Sequence, residues 1–149
     1  MRKRFYLIIS ALLFLCLLVN PAFCQTEKEY LEKGIEYGKK GNLDQAISDF
    51  NKAIELNPKY AQAYYNRGIV YGMKGNLDQE ISNYNKAIEL NPKYAEAYYN
   101  RGAAYGKKGN PDQAISDYNK TIELNPKFAY AYNNRAVAYF LKKQYDNAW

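Results

Sequence analysis

Apolar residues recur every three or four positions along most of this chain, and polar turns interrupt them on a fixed schedule. In residues 61–74 Tyr64, Gly68 and Tyr71 stand at i, i+4 and i+7, and after the break Lys74-Gly75-Asn76 a second stripe runs through Ile81, Tyr84, Ala87, Ile88 and Leu90. That spacing is the period of a helix, not of a strand. The break carries the chemistry of two helix ends: Gly75 can take the left-handed backbone that closes a first helix, and Asn76 can cap the next, with Gln79 three positions on. Pro111 follows Asn110 at a first helical position, where its missing N–H costs nothing, and Asn91-Pro92 and Asn125-Pro126 close second helices. The pattern predicts helices over 27–40, 43–56, 61–74, 77–90, 95–108, 111–124 and 129–142, and no strand.

The schedule is a repeat. Residues 57–90 and 91–124 share 26 of 34 positions without a gap, an earlier copy starts near Thr26, and a fourth begins near Phe128. A fixed period of this length makes each unit one helix-turn-helix that buries its apolar side only against its neighbours. The expected division is residues 27–60, 61–94 and 95–128 as full units and 129–149 as a partial fourth.

Within the unit, a large residue stands at position 4 (Tyr30, Tyr64, Tyr98, Tyr132), a small one at 8 (Gly34, Gly68, Gly102, Ala136) and Tyr at 11 (Tyr37, Tyr71, Tyr105, Tyr139). Further on come small residues at 20 (Ala46, Ala114, Ala148), aromatics at 24 (Phe50, Tyr84, Tyr118), Ala53 and Ala87 at 27, and Pro58, Pro92 and Pro126 at 32. This pattern resembles the tetratricopeptide repeat. The resemblance implies an all-α fold, a right-handed superhelical solenoid of three full repeats plus a partial fourth. Two departures stand out. Position 7, usually leucine in the family, is Lys33, Arg67, Arg101 and Arg135, and position 20 of the second unit is Glu80. Burying Glu80 unpaired is costly, so it is expected to reach solvent or to pair with a base such as Arg67. Arg67 and Arg101 flank the core side and are expected to pair with acids of the second helix such as Asp117.

Residues 1–24 are built differently. Arg2, Lys3 and Arg4 precede an apolar run over residues 5–19, broken by Asn20 and Pro21 and followed by Ala22 and Cys24. That is the layout of a secretory signal peptide, with cleavage expected after Cys24. The apolar run covers only about 22 Å at helical rise, short of a hydrocarbon core near 30 Å. An exported chain, periplasmic or secreted, follows. The alternative is a membrane-tethered or lipid-anchored envelope assembly factor that retains this segment or a lipid on Cys24, although Phe23 is large for the position before a lipidated cysteine. Removing the segment leaves 18 basic against 15 acidic groups and no cysteine, since Cys16 and Cys24 both lie in it.

The remaining inventory narrows the chemistry. The chain has no histidine, so the commonest general base and, after cleavage, the thiolate nucleophile and soft metal ligands are missing. Carboxylates such as Asp78 and Glu80 read as caps and surface charge, and the turns at 72–76 and 106–110 lack the Gly-Lys-Ser/Thr of a phosphate loop. Bases and acids alternate, as over residues 30–45, without a single-sign stripe for nucleic acid. The reading is a protein-interaction scaffold, with no catalytic residue, cofactor or metal expected.

On a helix of 3.6 residues per turn, position 6 points away from positions 4, 8 and 11. Asn66, Asn100 and Asn134 therefore form a ladder on the inner wall, and a mid-helix asparagine is a middling helix former that calls for a reason. Its amide offers a donor and an acceptor to an extended main chain. This resembles the peptide-binding superhelix of O-linked N-acetylglucosamine transferases, whose asparagines at the same unit position hold the ligand backbone. Tyr65, Tyr99 and Asn133 at position 5 complete the expected groove, with Gly72 and Gly106 leaving room. The family's carboxylate clamp is not matched: the positions it uses give Leu31, Ile35, Asn66, Glu96 and Asn100, or Tyr65, Ile69, Asn100, Tyr130 and Asn134, so only a single Asn survives and an EEVD-type ligand is not expected. Phe140, Leu141 and Tyr139 lie beside a second helix that barely begins at Asp146, Asn147 and Ala148, which is expected to promote self-association or to mark a piece of a longer scaffold.

Overall fold

The computed structural model describes residues 25–146. The basic-apolar segment with Cys16 and Cys24, and residues 147–149 of the expected partial fourth unit, lie outside the described residues. Seven helices follow in order: α1 Glu27–Lys39, α2 Leu43–Leu56, α3 Ala61–Met73, α4 Leu77–Leu90, α5 Ala95–Lys107, α6 Pro111–Leu124 and α7 Ala129–Asp146. Among the described residues there is no strand. Thr26 opens α1 with a reciprocal capping box to Glu29, and the Asn76 side chain accepts from Gln79 N–H at the start of α4. Gly41, Gly75 and Gly109 take positive φ of 79°, 75° and 79°, so each first helix ends on the residue type that tolerates the left-handed backbone.

The last helix corrects the expected boundary. It runs to Asp146 rather than stopping at residue 142. The other three units have Lys-Gly-Asn at this point, whereas here Lys143 stands where the glycine would be and Gln144 where the asparagine would be. Without the glycine the turn does not form, and Asp146 belongs to α7 instead of opening a second helix.

The first helices α1, α3 and α5 each pack on the second helix of their own unit, and α2 on α3, α4 on α5 and α6 on α7 continue the stack. The first helices also run beside one another, α1 against α3 and α5 against α7. Inside a unit, the small position 8 admits the aromatic of position 24: a Cβ at Gly34 would lie 2.5 Å from Phe50 Cε1. Buried Ala46, Ala53 and Ala63 keep the axes close around Phe50 and Val70. Thr121, where the other units have alanine, is buried too, and its hydroxyl donates to the Asp117 carbonyl at 2.9 Å, so no polar group is stranded.

Position 7 accounts for the departure from leucine. Arg67 donates from Nε to Asn83 at 2.7 Å and from Nη1 to Asn51 of the preceding unit at 2.5 Å. Arg101 forms a two-pronged bond to Asp117 at 2.9 and 2.6 Å and reaches back to Asn85 at 2.7 Å. Arg135 repeats the backward bond, to Asn119 at 2.8 Å. Each guanidinium also lies over the position-4 ring, Tyr64, Tyr98 or Tyr132. The arginine is thus a joint between units. The expected pairing with an acid holds for Arg101, while Arg67 finds neutral amides because its second helix carries Asn83 where α6 carries Asp117.

Glu80 corrects the second expectation. It is 5% exposed and does not meet Arg67. Its carboxylate lies against the backbone of Gly72, where a Cβ would be 2.7 Å from Oε1, accepts only a long 3.4 Å bond from the Tyr84 hydroxyl, and leaves Oε2 without a partner. Burial pushes this carboxyl above the ordinary glutamate range, against a partial pull from Lys107 and the Tyr84 bond.

Candidate functional site

The side-by-side first helices carry the candidate groove. Asn100 Nδ2 donates to the Tyr65 hydroxyl at 3.0 Å, and Asn134 Nδ2 to the Tyr99 hydroxyl at 2.9 Å, in each case linking adjacent units. Asn66 has Leu31, with no hydroxyl, at the corresponding place one unit back, and its Nδ2 turns instead to the Gln62 carbonyl at 2.7 Å. The ladder is therefore tied on its donor side. Fixing Nδ2 to a tyrosine fixes the amide plane, and the acceptor Oδ1 is held in one orientation.

Tyr65 and Tyr99 do more packing than sequence reasoning expected. Tyr65 sits between Tyr94 at 4.7 Å and Tyr84 at 5.9 Å between ring centres, and Tyr99 between Phe128 at 4.9 Å and Tyr118 at 5.8 Å. Burial raises the Tyr65 hydroxyl, with Glu96 adding to the shift and the Asn100 bond opposing it. Behind Tyr99, burial pushes Tyr118 up to about 12. Both position-5 tyrosines are half-buried struts between units, and Asn133 is exposed on α7.

Between α1 and α3 the groove deepens into an apolar pocket of about 260 Å³, walled by Ile35, Ile69, Val70 and Met73, floored by Phe50, with Lys39 and Asn66 on its lining. Ile35, Ile69, Met73 and Lys39 were missed as groove residues. The signal was present: position 9, three residues beyond the ladder position on the same helix face, reads Ile35, Ile69, Ala103 and Val137. A broader polar hollow of about 400 Å³ around Arg67, Asn83, Asn85 and Lys86 lies on the second-helix side. Its polar groups are largely spent on the joints already described. Among the described residues no group of His, Cys, Asp and Glu is arranged to hold a metal ion, and no helix is long and apolar enough to cross a membrane.

Family models described as tetratricopeptide repeat match residues 95–128 and 117–149, and one described as TPR repeat matches 34–75 and 73–109. An uncharacterized protein of Methanocaldococcus jannaschii is 54% identical over 35 residues, a stretch that is 24% of this chain and 41% of that relative. Among solved structures, the first TPR of Spaghetti (RPAP3) bound to the HSP90 peptide SRMEEVD has a TM-score of 0.74 at 31% identity, covering 76% of this chain and 90% of its own. The MamA protein has a TM-score of 0.75 at 35% identity, covering 82% and 67%.

Proposed function

The chain belongs to the tetratricopeptide repeat family, and we propose that it is an exported, non-catalytic scaffold holding an extended peptide or protein segment along its first helices. The observation that carries this reading is the tied ladder: Asn100 and Asn134 present acceptors in fixed orientation, 34 residues apart, and Asn66, one unit earlier, lines the apolar pocket of Ile35, Ile69 and Met73. Extended main chain needs such acceptors for its N–H groups, and its side chains need apolar hollows. The bound HSP90 peptide of the Spaghetti neighbour supports a peptide ligand of the same general kind. Its acidic terminus does not transfer, because Tyr65, Ile69, Tyr130 and Asn134 stand where clamp cations and amides would be needed.

Export rests on residues 1–24, and mass spectrometry of the mature chain is expected to find Gln25 as its first residue. A lipid-bearing Cys24 would replace this reading with the anchored one.

Peptides selected from a random display library on the purified chain test the groove. Changing Asn66, Asn100 and Asn134 together to Ala should weaken them by about 3 kcal/mol, roughly a hundredfold, at about 1 kcal/mol per lost hydrogen bond. The fold should survive, since alanine is the better helix former and offsets part of the two broken ties to Tyr65 and Tyr99. Affinity that stays the same would reduce the ladder to a joint between repeats.

A further inference from the structure

The joints between repeats use up acceptors and leave donors behind. In the polar hollow between α3 and α4, the Asn83 side-chain oxygen accepts from Arg67 Nε at 2.7 Å, and the Asn85 oxygen accepts from Arg101 Nη1 at 2.7 Å. Arg67 Nη2, the Asn85 Nδ2 amide and the Ser82 hydroxyl line the same hollow and donate to no group among the described residues. The first two can only donate. Position 23 is where this unit differs from its neighbours: the first and third units carry an acid there, Asp49 beside Lys52 at 3.9 Å and Asp117 under Arg101, whereas the second carries Asn83. At Arg101 the Nη2 prong reaches Asp117 at 2.6 Å. At Arg67 the Asn83 amide nitrogen turns away to the Gln79 carbonyl at 2.8 Å, and no carboxylate meets the second prong. The charges follow the same division. Arg67 and Lys86 stand in the hollow against Glu89 alone, one net positive charge, while the corresponding Arg101, Lys120, Asp117 and Glu123 cancel. Burial lowers the half-buried Arg67 guanidinium from its ordinary range, with Tyr71 and Tyr64 opposing only in part, whereas at Arg101 the Asp117 bond and charge overcome the same burial.

We propose that this hollow is a binding site for one carboxylate group, which accepts from Arg67 Nη2 and from the Asn85 amide or the Ser82 hydroxyl. The ligand supplies the counter-charge that Asp117 supplies one repeat later. Hydrogen bonds from a guanidinium to a carboxylate are charge-assisted and among the stronger ones a protein makes, and the Tyr64 ring beside Arg67 shields one side of the group from water. The single net charge selects a carboxylate over a dianionic phosphate. Glu89, which already holds Lys86 at 2.6 Å, repels a second negative charge at the same place. Gln79, Ser82, Asn85 and Glu89 are exposed, so the carboxylate can arrive as a free acid or on an acidic side chain of a partner. The hollow lies on the second-helix side, away from the asparagine ladder. It is therefore independent of the peptide-binding reading.

Titrating the isotope-labelled chain with sodium acetate, against sodium chloride at equal ionic strength, tests the site by NMR. The expected result is a saturating shift of the Arg67 Nε–H and Asn85 side-chain amide resonances with acetate and none with chloride. Asn83→Asp copies the third unit into the second and should weaken acetate at least about tenfold, a loss of about 1.4 kcal/mol or more. The Arg101–Asp117 pair shows that the fold accepts this arrangement. In the opposite direction, Asp117→Asn should create a second acetate site, read at Arg101 and Asn119. A blocked glutamate amide that binds more tightly than acetate assigns the site to an acidic side chain of a partner, and equal affinity assigns it to free carboxylates. Shifts no larger than those with chloride overturn the proposal, as does an acetate affinity that Asn83→Asp leaves unchanged. Inorganic phosphate binding more tightly than acetate overturns the choice of carboxylate.

Discussion

Arg101→Met should cost the fold about 3–5 kcal/mol, because it leaves the Asp117 carboxylate buried without its cation. Asp117 is 4% exposed, and burial already pushes its carboxyl upward while the two bonds from Arg101 pull it part of the way back. Removing the guanidinium removes that compensation and also the reach to Asn85. The preceding unit supplies an internal control. There Arg67 faces Asn83, a neutral amide that can also donate to the Gln79 carbonyl at 2.8 Å, so Arg67→Met should cost only about 1–2 kcal/mol. Asp117→Asn placed in the Arg101→Met chain rebuilds that neutral arrangement and should recover most of the loss. Urea unfolding of the four chains measures the cycle. Equal losses for the two arginines, with no recovery, would show that the joint acts by packing alone.

Glu80→Gln is expected to stabilise the chain at neutral pH by about 1–3 kcal/mol, the usual penalty of an unsatisfied buried polar group. Glutamine keeps the volume that fills the space against Gly72, so no cavity opens. The sign of the pH dependence follows from the raised carboxyl. A group that binds its proton more tightly in the folded state gives its full stabilisation below the unfolded-state value, about 4.3, and loses it as pH rises through the folded value. The parent should therefore match the variant in acid and fall behind it toward neutrality. Melting temperatures of both chains between pH 4 and 8 read this directly, and a gap that is constant with pH would remove Glu80 ionisation as its cause.

The helices were legible in the sequence because every unit writes its own punctuation. Gly75 and Gly109 close first helices, and the asparagine after each begins the next element. The boundary that moved most, at α7, moved where Lys143 replaces the glycine, a signal present in the letters but overridden by the expectation of a regular repeat. The joints were less legible. The pairing of Asn100 with Tyr65 and of Asn134 with Tyr99 depends on which side chains face each other 35 residues apart. Period alone places both residues on first helices but does not say that one hydroxyl takes the donor of the other. Glu80 ran against a sound general rule, that an unpaired carboxylate avoids burial. Its position opposite Gly72 holds it inside because the glycine leaves space for a carboxylate where α1 and α2 place Gly38 and Ala46. The pocket between α1 and α3 needed the three-dimensional stack, since Ile35 and Ile69 read as ordinary helix residues until both lie on one wall.

The central claim is that a peptide lies along the first helices. Titrating an isotope-labelled chain with a display-selected peptide and following its amide resonances tests that claim most directly. The account predicts shifts clustered at Ile35, Asn66, Ile69, Asn100 and Ala103, with Asn85, Lys86 and Glu89 of α4 left still. Shifts confined to the second helices, or spread evenly over the stack, would contradict it.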